Sequence, residues 1–418
     1  MDRKSIDYNN RSPYGIRLIK PDGAPLRILQ VIPNLNLGGA EQSCIDIAKA
    51  IQSSGGQSFV VSNGGQRAHE AGLHGGRHFN CPVHRKNPYL IWKNIGRLAK
   101  IIRQHKIDIV HARSRAPAWA AYYAARRTDI PFMTTFHAAY KFKSGLKKRY
   151  NSVMTRGVHT IAISEFIKDH IQENYGLEDG QISVAYRGLS LDKFHPNAVS
   201  PERMIQLARQ WRVPEDKAVI LMPARLSRIK GHGAVIEALG LLKRRDAICI
   251  MVGGADENDP YYKELSEMIR SRKLAGQVKI VGRCIDMPAA YSMATCVVST
   301  SAVPEGFGRV PVEAQAMGKP VIASNIGATV ETIVEGETGF LVPPNNPVAI
   351  SKALQKILNM SAAERNALGS KAMNRVADKF SLDAMCKVVL NSYLKVSAAH
   401  LNDKKEAAPS REELDKAA

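Results

Sequence analysis

Short apolar runs alternate with amphipathic stretches along most of the chain, which is the pattern of parallel strands covered by helices. In the first half RILQVIP (27–33), QSFVVS (57–62), DIVHAR (108–113), PFMTTFH (131–137), HTIAIS (159–164) and QISVAYRG (181–188) predict strands. AEQSCIDIAKAIQSS and PYLIWKNIGRLAKIIRQH, lying between them, predict helices. The polar, proline-punctuated stretch 195–216 breaks the alternation and reads as a linker. The pattern then restarts: 217–226, 247–254, 277–283, 295–301 and 319–325 predict buried strands, and past 347 the chain turns helical. The fold class is therefore α/β, with two doubly wound Rossmann-like domains. In such open sheets ligands sit beyond the carboxyl ends of the strands, so the chemistry is expected there.

Length and composition fit this picture. The 418 residues exceed one ordinary core, and 44% hydrophobic with 23% charged content is globular. No apolar run approaches the roughly 20 residues that span a bilayer, and the polar start MDRKSIDYNNRSPYG predicts no secretory leader. The six scattered cysteines form no CxxC pair, which points to a reducing, cytoplasmic setting without structural zinc. Charge adds more. Of the net +21, residues 1–200 hold 29 Lys/Arg against 14 Asp/Glu, so the first half is the basic one. Such a surface favours anionic partners, among them a phospholipid layer, a phosphorylated glycolipid or nucleic acid, although solubility alone also explains exposed charge.

Three loops at predicted strand ends carry candidate chemistry. In NLNLGGAEQ, Gly38 and Gly39 let backbone N–H groups at a helix start approach an oxygen-rich ligand; a plain tight turn is the alternative. There is no GxGxxG, and no acidic residue ends the next strand to hold a ribose, which argues against a dinucleotide enzyme. In PARLSRIKGHG, Arg225 and Lys230 lie five apart at a strand-to-helix turn, as a diphosphate clamp requires. Arg228 either shares that load or points elsewhere. In STSAVPEGFGRVPVEAQAMG, Glu305 precedes a helix and Glu313 lies in its early turns, with the Gly306–Phe307–Gly308 backbone open to a ligand between them. Carboxylates suit vicinal hydroxyls of a sugar or ribose; an acidic residue at a helix start is also ordinary capping.

The unit from Glu305 to Glu313 resembles the E-x7-E signature of the retaining family 4 glycosyltransferases, which have the GT-B fold, two such domains facing across a cleft. Arg225 and Lys230 match that family's cationic pair, Gly38 and Gly39 its glycine loop, and the likeness runs over roughly residues 27–395. The resemblance implies that Glu305 contacts donor sugar hydroxyls and Glu313 the nucleotide ribose. It further implies that the amides of Phe307, Gly308 and Arg309 hold sugar and phosphate, and that backbone near Cys284 faces the base. His137, ending the strand PFMTTFH, falls where the family carries a histidine near the reacting sugar. Family members often have Asn or another polar residue where Arg187 stands in YRG, a departure that points to an anionic ligand.

The expected organisation is an extension (1–26), an acceptor-binding domain (27–200), a nucleotide-sugar domain (201–385), a helix crossing back (386–402) and a disordered tail (403–418). The resemblance implies a reaction that moves a hexose, mannose first, from a GDP- or UDP-sugar to a glycolipid or polysaccharide, with the lipopolysaccharide inner core as one such acceptor. No cofactor is expected: there is no DxD, and His69, His74, His78 and His84 lack zinc spacing. The acceptor would be anionic, met by Arg187 and by Lys141 in the basic-aromatic stretch 140–150, with the enzyme peripheral at the inner face of the cytoplasmic membrane. Two rival classes stay open: a nucleotide-sugar epimerase of similar fold, and a nucleic-acid-binding protein. The second would need stacking aromatics, and aromatics are only 6% of the chain.

Overall fold

A computed structural model describes residues 12–406 except Lys143 and Ala255. It divides into two units, one of residues up to 163, 167–185 and 383 onwards, the other of 164–166 and 186–382. The division thus falls at 185/186, where the sequence reading put it at 200/201.

The first unit is a seven-stranded parallel sheet. Its strands are β1 (Arg27–Val31), β2 (Gln57–Ser62), β3 (Arg77–Asn80), β4 (Ile109–Ala112), β5 (Phe132–Phe136), β6 (His159–Ala162) and β7 (Ile182–Val184). Their spatial order is β3-β2-β1-β4-β5-β6-β7, which places the reversal of winding between β1 and β4. Central strands β4, β5 and β6 are buried along their whole length, including the polar His111, Thr134, Thr135, His159 and Thr160. β3 is the strand the pattern did not predict. RHFN has a single apolar residue and lies at the sheet edge, where burial demands little.

The second unit is a six-stranded parallel sheet of β8 (Ala218–Pro223), β9 (Ala247–Val252), β10 (Val278–Val281), β11 (Cys296–Ser299), β12 (Val321–Ser324) and β13 (Phe340–Val342). The order is β10-β9-β8-β11-β12-β13, so winding reverses between β8 and β11. The three-residue edge strand β13 was also missed, being too short to show a period. All six cysteines are free thiols, and Cys249 and Cys296 are buried in this core.

Residues 195–216 are not a bare linker. Pro201–Trp211 is an amphipathic helix whose Leu207 and Trp211 are buried, and Arg203 clamps Asp286 through two hydrogen bonds of 2.8 and 2.6 Å. Glutamine and arginine on its outer face gave the stretch its polar look. The expected disordered tail also needs correction at its start, because one helix runs continuously from Leu382 to Glu406; residues 407–418, like 1–11 of the extension, lie outside the described residues. No helix among the described residues is long and apolar enough to cross a membrane.

Candidate functional site

The loops after β8 and β11, the two strands at the reversal of winding, meet in the second unit. After β8 the chain passes Arg225 and makes one 3-10 turn, Arg228–Lys230. It then adopts the left-handed conformation at Gly231 (φ 78°) and enters the helix His232–Leu242. Glycine is required there twice over: the left-handed φ disfavours a side chain, and a Cβ would lie 2.1 Å from the carbonyl oxygen of Thr300. The Ala302 amide donates to the Ile229 carbonyl at 2.8 Å, pinning the two loops together. Arg228 points away: it pairs with Glu264 and stands over the Tyr261 ring at 4.9 Å.

Lys230 Nζ donates to Glu305 Oε1 at 2.8 Å, with each side chain about a quarter exposed. Ser301 donates a short hydrogen bond to the same oxygen. The hydrogen bonds of the Glu305 carboxylate among the described residues all fall on Oε1. The backbone of Glu305 is fixed from behind, its carbonyl accepting from the Ala328 amide at 3.0 Å. Gly327 (φ 62°) allows this approach, since a Cβ would sit 2.9 Å from Glu305 N and O. Arg225, exposed at the end of β8, has no ion-pair partner among the described residues.

Glu313 is gripped at both oxygens. Tyr291 OH donates to Oε2 at 2.8 Å, and Arg309 donates to Oε1 from Nε at 3.1 Å, its terminal nitrogen lying 2.9 Å away. Burial first, and the neighbouring Glu313 second, push the Tyr291 hydroxyl well above its ordinary pKa, so it stays a proton donor. The helix carrying Glu313, Arg309–Ala316, begins after Gly308 with no side-chain cap, leaving first-turn N–H groups for an external acceptor. The Phe307 ring is buried against Tyr186 and Phe380 at centroid distances of 6.2 and 5.9 Å, anchoring the loop from its rear.

Cys284 follows edge strand β10, half-buried, and burial raises its thiol pKa. With Arg283, Ile285, Asp286, Arg203 and Trp211 it lines a cavity of about 250 Å³. Helix Pro201–Trp211, misread as linker, is one wall.

In the first unit the remaining candidates lie at strand carboxyl ends. Gly38 is exposed and caps the helix Gly39–Ser53 after β1 with no side-chain cap bond. Its φ of 176° is extended backbone open to any residue, so conformation alone does not require glycine. His137 follows β5, half-buried, and Lys141 is exposed four residues on. Arg187 differs from expectation: it lies past β7 in the second unit, not in an acceptor domain. His78 is tied to β2 by a 2.8 Å hydrogen bond with Ser62 Oγ, and among the described residues no three metal-ligating side chains converge. Sequence reasoning missed Ser301, Tyr291 and Gly327. Ser301 ends a predicted strand and was within reach; nothing in sequence ties Tyr291 to a carboxylate 22 residues away.

Comparison with known proteins agrees with this geometry. The model for glycosyl transferases group 1 matches residues 204–375, and that for glycosyltransferase family 4 matches 37–193. A glycosyltransferase from Rickettsia africae ESF-5, solved by crystallography, is 36% identical with a TM-score of 0.83, covering 89% of this chain and 98% of its own. An Anabaena protein, Alr3699/HepE, solved in complex with UDP, is 23% identical with a TM-score of 0.77 over 88% of this chain and 100% of its own. A D-inositol 3-phosphate glycosyltransferase of Streptomyces avermitilis is 24% identical over 70% of this chain and 66% of its own length.

Proposed function

Because the chain belongs to the family 4 glycosyltransferases of the GT-B fold, we propose that it is a retaining enzyme that moves a hexose from a nucleoside diphosphate sugar to an anionic glycolipid. The observation that carries the donor half is the 2.8 Å pairing of Lys230 with Glu305 beside an uncapped helix start. One group suits phosphate oxygens, the other sugar hydroxyls, and in the free protein they hold each other in place.

In this reading the incoming diphosphate takes Lys230 and Arg225, and the amide dipoles of the first turn of Arg309–Ala316 support it. Glu305, released from the ion pair but still held by Ser301, accepts from donor sugar hydroxyls. Glu313, oriented by Tyr291, accepts from the ribose hydroxyls, and the cavity at Cys284 takes the base. As the anomeric C–O bond breaks, the electron pair leaves on the diphosphate, where the cations and amide dipoles stabilise it. The acceptor hydroxyl then bonds to the anomeric carbon from the face the leaving group vacates, giving up its proton towards the departing phosphate oxygen. Gly38, Gly39 and His137 are assigned to positioning the sugar, Lys141 and Arg187 to the acceptor.

The membrane side of the proposal rests on the helix Pro88–His105. Tyr89 and Trp92 are 58% and 68% exposed, their rings stacked at 6.4 Å, and Lys93 lies 4.7 Å over Tyr89. Between Glu70 and Asp108 the sequence has no acidic residue, while Arg97, Lys100 and Arg103 extend the exposed face. Amphipathic rings flanked by cations suit the headgroup layer of an anionic bilayer.

Thermal-shift titration with UDP, GDP, ADP and their sugars, GDP-mannose and UDP-glucose among them, tests the donor site. A true donor at 100 times its Kd adds about 2.7 kcal/mol of stability. Lys230→Ala should abolish the response to every nucleoside diphosphate. Glu305→Ala should keep that response and lose the preference for sugar-bearing ligands. Equal shifts in the parent and both variants would defeat the assignment.

A further inference from the structure

The amino ends of β1, β2 and β3 frame a pocket of about 430 Å³ on the first unit, whereas Gly38, Gly39 and His137 follow the carboxyl ends of strands in the same sheet. Arg27, Gln57 and Arg77 open those three strands and line it, joined by Lys106 from the end of the helix Pro88–His105. The lining residues include no carboxylate. Asp108, close by in sequence, is already engaged by Lys20 Nζ at 3.3 Å and by the Arg27 amide at 2.8 Å. Cations at helix ends commonly do no more than complement the terminal carbonyls. Two further features go beyond that role. Ser58 lines the pocket, is 1% exposed, and its hydroxyl has no hydrogen-bond partner among the described residues; the buried Gln52 Nε2, also in the lining, has none among them either. Buried polar atoms are nearly always satisfied, and a donor–acceptor pair left open beside guanidinium groups asks for a polar ligand.

The walls complete the description. Phe59 lies beneath, 5% exposed, and His105 is held against it and Phe79 at centroid distances of 5.4 and 5.1 Å. The volume falls in the range of small-molecule sites and exceeds what a bare inorganic anion fills. Guanidinium and ammonium groups select a phosphate; amides and a hydroxyl select hydroxyl groups beyond it.

We propose that this pocket binds a small phosphorylated polyol, such as a hexose monophosphate, at a site separate from the one where transfer occurs. The phosphate pairs with Arg77, Arg27 and Lys106, and the hydroxyls of the ligand satisfy Ser58 and Gln52. Because β1 runs from the pocket at its amino end to the glycine loop beyond its carboxyl end, at about 3.3 Å per residue, a ligand here cannot reach that loop. It acts as an effector or not at all.

Calorimetric titration of the full chain tests this, using inorganic phosphate and glucose 6-phosphate as probes. Lys230→Ala is introduced first, so that the proposed donor clamp does not contribute. That protein should bind glucose 6-phosphate saturably and more tightly than inorganic phosphate. Adding Arg77→Gln and Lys106→Asn, both exposed positions, should weaken both probes at least tenfold; Asn keeps the left-handed backbone at 106. Ser58→Ala should weaken glucose 6-phosphate about threefold and inorganic phosphate less. With Lys230 intact, the Arg77→Gln/Lys106→Asn protein should bind UDP as the parent does. Absent saturation, binding that survives the double substitution, or loss of UDP binding in that last protein would each overturn the proposal. Failure of the donor reading would show differently, as UDP binding that ignores Lys230→Ala.

Discussion

Tyr291 has no freedom to be anything but a hydrogen-bond donor. It is fully buried, and burial holds its proton, so its single bond to Glu313 Oε2 fixes one oxygen of that carboxylate. Tyr291→Phe keeps the packing and removes only the hydroxyl, leaving Arg309 to hold the other oxygen. If Glu313 receives the ribose, a looser carboxylate weakens donor binding about tenfold, roughly the 1.4 kcal/mol of one charge-assisted hydrogen bond. KM for the donor should rise with kcat little changed; a fall in kcat alone would place Glu313 elsewhere in the mechanism. Gly231 is constrained by backbone, not chemistry. Gly231→Ala must adopt a left-handed conformation and displace Thr300, whose carbonyl a Cβ would meet at 2.1 Å. We expect about 3 kcal/mol of lost stability by urea denaturation, with nucleotide affinity falling because Lys230 shifts with the loop.

Secondary elements were legible where their period was long and their burial complete. Central strand β9 is apolar and buried along its length, and β4, β5 and β6 are buried throughout with only histidine and threonine interrupting their apolar residues, so the runs announce them. Edge strands β3 and β13 stayed hidden because a half-covered strand of three or four residues needs no pattern. Helix Pro201–Trp211 was hidden by its flanking prolines and by an apolar stripe of only a few residues. The candidate site was proposed from sequence through Lys230, Glu305 and Glu313, which lie beside glycines that follow predicted strands. Its supports, Ser301, Tyr291 and Gly327, act through contacts that form only once β8, β11 and β12 lie side by side. The helix Pro88–His105 makes its own prediction. Sedimentation with vesicles holding 30% anionic lipid should recover the protein, and Tyr89→Ala with Trp92→Ala should weaken binding about tenfold or more. Lys93→Gln with Arg97→Gln should cost a similar factor, at about 1 kcal/mol per cation near the surface, and more salt should erase that part.

At the scale of the molecule, the first unit depends on the last helix of the chain. Residues 383–406 belong to the same unit as β1–β7, and that helix buries Met385, Val389, Leu390, Tyr393 and Val396. Tyr393 OH lies 2.7 Å from His111 Nδ1 in β4, whose Nε2 is 2.7 Å from Thr135 in β5. Burial lowers the pKa of His111 well below its ordinary value and takes that of His159 in β6 to about 4, so both are neutral when folded. The unfolded chain takes up protons near pH 6.5 and the folded one does not, so stability falls as pH drops from there towards 4. His159 alone should cost the first unit about 2 kcal/mol by pH 5, and His159→Gln should flatten that slope in denaturation series at pH 7 and pH 5.

Ending the chain after Leu382 removes the apolar side chains of that helix together and leaves His111 Nδ1 without its partner. Losing five large buried side chains, at about 2–3 kcal/mol each, removes about 10–15 kcal/mol, which is as much as whole domains ordinarily have at about 5–15 kcal/mol. Among the described residues, none from beyond Leu382 enters the sheet of the second unit or the apolar cluster around it. Hydrogen exchange on the shortened chain should therefore show β4, β5 and β6 unprotected while β8, β9 and β11 keep protection. UDP should still slow exchange at residues 225–231 and 305–313, because the groups proposed to hold the nucleotide itself, Arg225, Lys230, Glu313 and the cavity at Cys284, all belong to the second unit. Uniform loss of protection across both sheets would show that the second unit cannot stand without the first, and the division at 185/186 would then be one of geometry and not of stability.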